Sequence, residues 1–203
     1  LDTRPDVVLF LDGLNDLTNG PDATTRFAMT ATASVAGTRL DEVSALFKEG
    51  ESLANAIGDR RAHLYLSMTY GRAVGAAGEV AASLELAIEN RRAALDIDDI
   101  RVQANTSSNL VDVLVNAARL KEALELAEEG LAHFPRDIPV EEWAFSFNPY
   151  GVISLRRGYC LIWMGRLPEG LEELGRCRRF AEEDGSPELA GDSLFFAAQA
   201  CYH

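Results

Sequence analysis

Carboxylates crowd three short stretches of this chain: Glu125, Glu128 and Glu129; Glu172 and Glu173; and Glu182, Glu183 and Asp184. General acid–base chemistry uses such pairs, with one member kept protonated and the other ionised by different surroundings. These stretches lie opposite the apolar stripes of their helices, a placement that favours a solvated face. His63, His133 and His203 are far apart in sequence, which favours structural or solvent-facing roles. No Cys-x-x-Cys or His-Glu-x-x-His spacing offers a metal site. Phosphate-binding loops, Gly-x-Gly-x-x-Gly turns and Gly-x-Ser-x-Gly elbows are also missing from the sequence. No catalytic residue, metal ligand or cofactor is assigned, and the chain by itself is not expected to be an enzyme.

A different chemistry is concentrated further along. Trp143, Phe145, Phe147 and Tyr150 place four aromatics in eight residues, and the helix that follows carries Arg156, Arg157 and Trp163. Aromatics beside arginines suit recognition of a peptide or an anionic ligand on a concave surface. Phe145, Phe147, Tyr150, Arg156, Arg157 and Trp163 are therefore the candidate binding residues. The alternative is that this loop folds its aromatics onto neighbouring helices. Cys160, Cys177 and Cys201, odd in number and widely spaced, read as small buried apolar residues rather than a disulfide framework.

The elements that would position these groups repeat along the chain. Leu40, Val80, Leu120 and Leu167 open similar segments, spaced 40, 40 and 47 residues apart. Three residues after each comes a short side chain: Val43, Ser83, Ala123 and Gly170. Twelve residues before that site stands another: Ala31, Gly71, Val111 and Gly158. Small residues at matched places let paired helices approach closely. Helices are predicted near 4–18, 21–36, 40–57, 59–75, 79–95, 99–117, 119–133, 149–164, 167–184 and 187–202. Gly20-Pro21 and Ser186-Pro187 mark starts, and Leu120, Ala123, Leu124, Ala127 and Leu131 form one apolar stripe. Pro135, Pro139 and Pro149 frame an irregular loop that accounts for the longer third spacing.

These segments resemble tetratricopeptide repeats. Leu110 and Val111 stand at that family's Leu-Gly pair, Ala123 at the small site of its second helix, Gly130-Leu131 at the later small-apolar pair, and Pro135 at the closing proline. The period of about 40 exceeds the family's usual 34 residues. The resemblance implies an all-α right-handed superhelix of antiparallel helix pairs spanning residues 1–203. It would hold a half repeat at 1–18, repeats near 21–57, 59–95, 99–135 and 149–184, and a half repeat at 187–203.

A closer likeness runs through Phe145-Ser146-Phe147-Asn148-Pro149-Tyr150, Leu155-Arg156-Arg157-Gly158-Tyr159 and Met164-Gly165-Arg166-Leu167-Pro168-Glu169-Gly170. It is similar to the C-terminal helical-repeat region of large bacterial signalling proteins, in which a class III adenylate/guanylate cyclase domain and an AAA-type ATPase precede the repeats. The likeness implies a regulatory scaffold or sensor arm and transfers no catalytic residue. Phe10-Leu11-Asp12-Gly13 only shadows the cyclase metal motif, with its glycine out of place.

Charge sharpens these expectations. The net charge of −13 repels phosphate backbones and anionic lipid, so neither a nucleic-acid nor a membrane partner is expected. Without a transmembrane run or a leader pattern, a cytoplasmic location is expected. The leading functional reading is a protein or peptide interaction module. The second is a small-molecule sensor that closes on ligand beside the aromatic loop. Because the chain opens without methionine and its last helix reads as a first helix without a second, a fragment is expected. Leu194, Phe195, Phe196, Ala197, Cys201 and Tyr202 would then leave an apolar patch, through which a homodimer is expected.

Overall fold

Short turns separate the helices, and their chemistry sets where each helix stops. The computed structural model describes residues 40–137 and 148–202. Its elements are α1 (Leu40–Ile57), α2 (Arg60–Ala76), α3 (Val80–Ala94), α4 (Ile100–Asn116), α5 (Leu120–His133), α6 (Pro149–Trp163), α7 (Leu167–Asp184) and α8 (Pro187–Tyr202). No strand occurs among the described residues, so they are all-α. The two helices expected before residue 37 lie outside the described residues.

Five turns use one device. A residue with positive φ follows the helix, and the next N–H donates back five residues to an otherwise unpaired carbonyl, as in the Schellman motif. Gly58, Gly78, Gly165 and Gly185 adopt φ of 70°, 96°, 81° and 72°, while Ala118 does the same work at 57°. The closing bonds run from Asp59 to Ala54 (3.0 Å), Glu79 to Val74 (3.1 Å), Arg119 to Leu114 (2.9 Å), Arg166 to Leu161 (2.8 Å) and Ser186 to Ala181 (2.9 Å). Helix starts are capped locally. The Asp59 carboxylate accepts from the Arg61 and Ala62 N–H groups, each at 3.0 Å, and Asp99 accepts from that of Arg101 at 3.0 Å.

The chain divides into two compact units, Leu1–Asp96 and Ile97–His203. In the first, α2 packs against α1 and α3. Ala54, Ala62 and Leu66 form the α1–α2 core, and Phe47 stacks on Tyr70 with centroids 4.4 Å apart. In the second, consecutive helices pack, and α6 also packs directly on both α4 and α8.

Small residues do stand at the helix crossings. Between α2 and α3 the glycine against Ser83 is Gly75 rather than the expected Gly71: a Cβ on Gly75 would lie 2.9 Å from the Ser83 hydroxyl, whereas one on Gly71 would meet Leu86 at 3.6 Å. A Cβ on Gly158 would lie 3.3 Å from the Gly170 carbonyl, and one on Gly170 would lie 2.9 Å from the Gly158 carbonyl, so α6 and α7 cross backbone to backbone. Val111 and Ala123 are fully buried at the corresponding places on α4 and α5. The repeating Leu40, Val80, Leu120 and Leu167 are each the first residue of a helix. Val80 and Leu167 are exposed, so these residues mark helix starts rather than the deep core.

Two expectations are corrected. Glu173, read as part of a solvated carboxylate face, is only 4% exposed. It falls on the buried side of α7 with Gly170, Leu174, Cys177, Phe180 and Ala181. Cys160 and Cys177 are buried, but Cys201, in the last turn of α8, is exposed.

Candidate functional site

The candidate residues depend on α6, and local sequence fixes where that helix begins. Buried Asn148 accepts from the Tyr150 N–H at 3.0 Å, and Pro149 fills the first turn, where no N–H is needed. Gly151 lets the helix lie against its neighbours, since a Cβ there would collide with Leu189 and stand 2.9 Å from the Phe180 ring.

With the start fixed, the helical period sorts the predicted residues onto different faces. Tyr150, Ser154 and Arg157 project one way. Glu173 of α7 binds this face, taking Ser154 Oγ at 2.7 Å on one oxygen and Arg157 Nη1 at 2.6 Å on the other. Arg176 adds its Nε at 3.1 Å and Nη2 at 2.5 Å to that second oxygen. A buried carboxylate so surrounded is neutralised in place, where alone it would be very costly. Arg157 reaches outward to Glu128 at 3.3 Å, and Arg176 to Glu172 at 2.6 Å.

Beside this network lies a cleft of about 420 Å³. Leu131, Tyr150 and Phe180 give it apolar walls, with the two rings 5.3 Å apart. Arg136, Arg176 and Arg179 bring positive charge to it. The Arg136 guanidinium lies 5.2 Å from the Phe180 ring centre and 6.0 Å from that of Tyr150, within cation–π range. Glu183 completes the charged rim and meets Arg136 at 3.3 Å.

Arg156 and Trp163 face elsewhere. Arg156 pairs with Asp112 of α4 at 2.5 Å and lies 5.7 Å from the Phe196 ring of α8. Tyr159 then links Phe196, at 5.0 Å between centroids, to Trp163, at 5.8 Å. Phe195 continues the series 5.5 Å from Phe196. The outer members are open to solvent: Trp163 is 61% exposed, Phe195 57% and the adjacent Leu194 50%.

The six predicted residues therefore do not form one site. Tyr150 and Arg157 belong with the cleft and its network, and Arg156 and Trp163 with the aromatic series. Phe145 and Phe147 lie outside the described residues. Sequence reading missed Tyr159, and it placed Phe196 in an apolar patch of the last helix without its link to α6, which depends on tertiary packing. It also missed Glu173, although its spacing from Cys177 and Phe180 placed it on the buried stripe of α7.

The remaining reactive groups are quiet. Burial pushes the Cys160 and Cys177 thiols up to about 11. The Cys177 thiol also donates to the Gly151 carbonyl at 3.4 Å. Asn105, the acceptor of an apparent glycosylation sequon, is buried in α4 and donates to the Arg101 carbonyl at 3.0 Å. Among the described residues no helix is long and apolar enough to cross a membrane. No protein-family model matches this chain, and no curated protein matches it.

Proposed function

We propose that this chain is a protein- or peptide-binding scaffold module, built as a tetratricopeptide-like stack. In this reading the pairs α4–α5 and α6–α7, followed by α8, are successive repeats with a right-handed turn. Direct packing of α6 on both α4 and α8 supports that reading, since stacked repeats bring their first helices side by side. The observation that carries the functional reading is the aromatic series Trp163, Tyr159, Phe196 and Phe195, open at both ends and backed by the Arg156–Asp112 pair. Large aromatics in contact with water beside arginine are the groups that anchor protein interfaces.

The likeness of residues 145–170 to the repeat arms of cyclase–ATPase signalling proteins supports a regulatory role for the module, with a nucleotide cyclase or ATPase as the catalytic partner in a longer protein. The test compares proteins crosslinked to the intact chain in a lysate of its source with those crosslinked to a Trp163→Ser, Phe195→Ser double variant. A partner held by this surface is lost from the variant while the helical content stays the same. If no crosslinked protein distinguishes the two, the surface is not an interface.

A further inference from the structure

The cleft between α5, α6 and α7 lies apart from the aromatic series, and its charges are unusual for so acidic a chain. Three of its wall residues are arginines in a protein of net charge −13. Arg176 is committed to Glu172 and Glu173. Arg136 is held over the Phe180 and Tyr150 rings, and its partner Glu183 is 71% exposed, so that pair adds little and opens easily. Arg179 has no ion-pair partner among the described residues.

We infer that this cleft binds a small organic anion: a carboxylate or phosphate head on an apolar body. The head takes the Arg136 and Arg179 guanidinium groups, whose planar N–H forks match either oxyanion. Glu183 already sets a carboxylate against Arg136 and is the group the ligand replaces. Leu131, Tyr150 and Phe180 receive the body. Glu173 does not repel the ligand, because Arg157, Arg176 and Ser154 saturate its oxygens. The volume of about 420 Å³ falls in the range of small-molecule sites. This inference is independent of the aromatic series.

Calorimetric titration of the full chain with phenyl phosphate, benzoate and inorganic phosphate tests it. At least one aryl anion should saturate, and inorganic phosphate should bind more weakly because it has no body for the apolar walls. Arg179→Gln should weaken binding about ten-fold, the worth of one charge-assisted contact. Arg136→Gln is a second variant with the same expectation, so a folding defect in one does not decide the outcome. Arg178→Gln should leave binding unchanged, since Arg178 is held by Glu182 at 2.8 Å and does not line the cleft. Four results would overturn the proposal: neither aryl anion binding more tightly than about 10 mM, inorganic phosphate binding as well as phenyl phosphate, binding that survives both cleft variants, or binding lost equally in Arg178→Gln.

Discussion

Replacing Ala118 with glycine should stabilise the protein, and the size of the gain follows from the turn it occupies. Gly78, Ala118 and Gly165 each stand two residues before the first residue of α3, α5 and α7. All three have positive φ and precede the same back-donated hydrogen bond, so the backbone demand is shared and only the residue differs. A left-handed conformation costs an L-residue about 1–2 kcal/mol that glycine escapes. Glycine returns about 0.4–1 kcal/mol of this by loosening the unfolded chain. Ala118 is exposed, so losing its methyl removes no core packing. The expected net gain is about 0.5–1 kcal/mol. The reverse change isolates the same strain: no atom lies within 4 Å of a Cβ built on Gly165 or Gly78, so alanine there meets a backbone penalty alone. Urea unfolding followed by far-UV circular dichroism should show a higher midpoint for Ala118→Gly and a lower one for Gly165→Ala, with slopes unchanged. Both lie in the unit Ile97–His203 and should move the same transition. An unchanged or lower midpoint for Ala118→Gly, with Gly165→Ala neutral, would refute the shared-turn reasoning.

Other glycines should respond according to their surroundings. Gly158→Ala should cost about 1–3 kcal/mol in urea unfolding, because its Cβ would stand 2.8 Å from Leu174 and 3.3 Å from the Gly170 carbonyl. Gly191→Ala should gain up to about 1 kcal/mol, since it lies within α8 and nothing stands within 4 Å of its Cβ. Burial, partly offset by a hydrogen bond from Asn148, raises the Asp184 carboxyl above the ordinary aspartate range. A carboxyl raised in the folded state contributes stability while protonated and loses it as pH rises through its folded pKa. Asp184→Asn should therefore be the more stable form at neutral pH by about 0.3–1 kcal/mol, helped by removing a negative charge from the C-terminal turn of α7, and its advantage should vanish in acid. A thiol reagent at mildly alkaline pH should label Cys201 at once and Cys160 and Cys177 only as the unit opens, because both buried thiols sit at about 11.

The helices were legible because their signals are local. Pro149 and Ser186-Pro187 announce starts within a few residues, and the boundaries predicted for the eight described helices fall within one residue of those observed. The spacing of Gly158 and Gly170 likewise reports a real crossing, since two glycines twelve residues apart on adjoining helices leave their backbones in contact. The candidate site was less legible. Aromatics and arginines close together in sequence suggest one surface, but a helix turns by about 100° per residue. Arg156 and Arg157 therefore part company, one reaching Asp112 on α4 and the other Glu173 on α7. Nothing in their composition announces which way each points. The phase of α6 is set by the depth at which Gly151, Ile153 and Gly158 bury.

The separation of those two arginines also explains how one helix serves two surfaces. The inner side of α6 is fixed by Ile153, Leu155, Gly158, Cys160 and Leu161, all buried. Arg157 and Ser154 clamp α6 to Glu173 on α7, while Arg156 ties it to Asp112 on α4. Removing Glu173 would leave two arginines beside a buried gap, whereas the exposed Trp163 and Phe195 can change with little loss of packing. The network is therefore the part that holds the face in place, and the aromatic series is the part open to solvent. The two kinds of residue fall on different sides of α6 because its period places Arg156, Tyr159 and Trp163 together, away from Tyr150, Ser154 and Arg157.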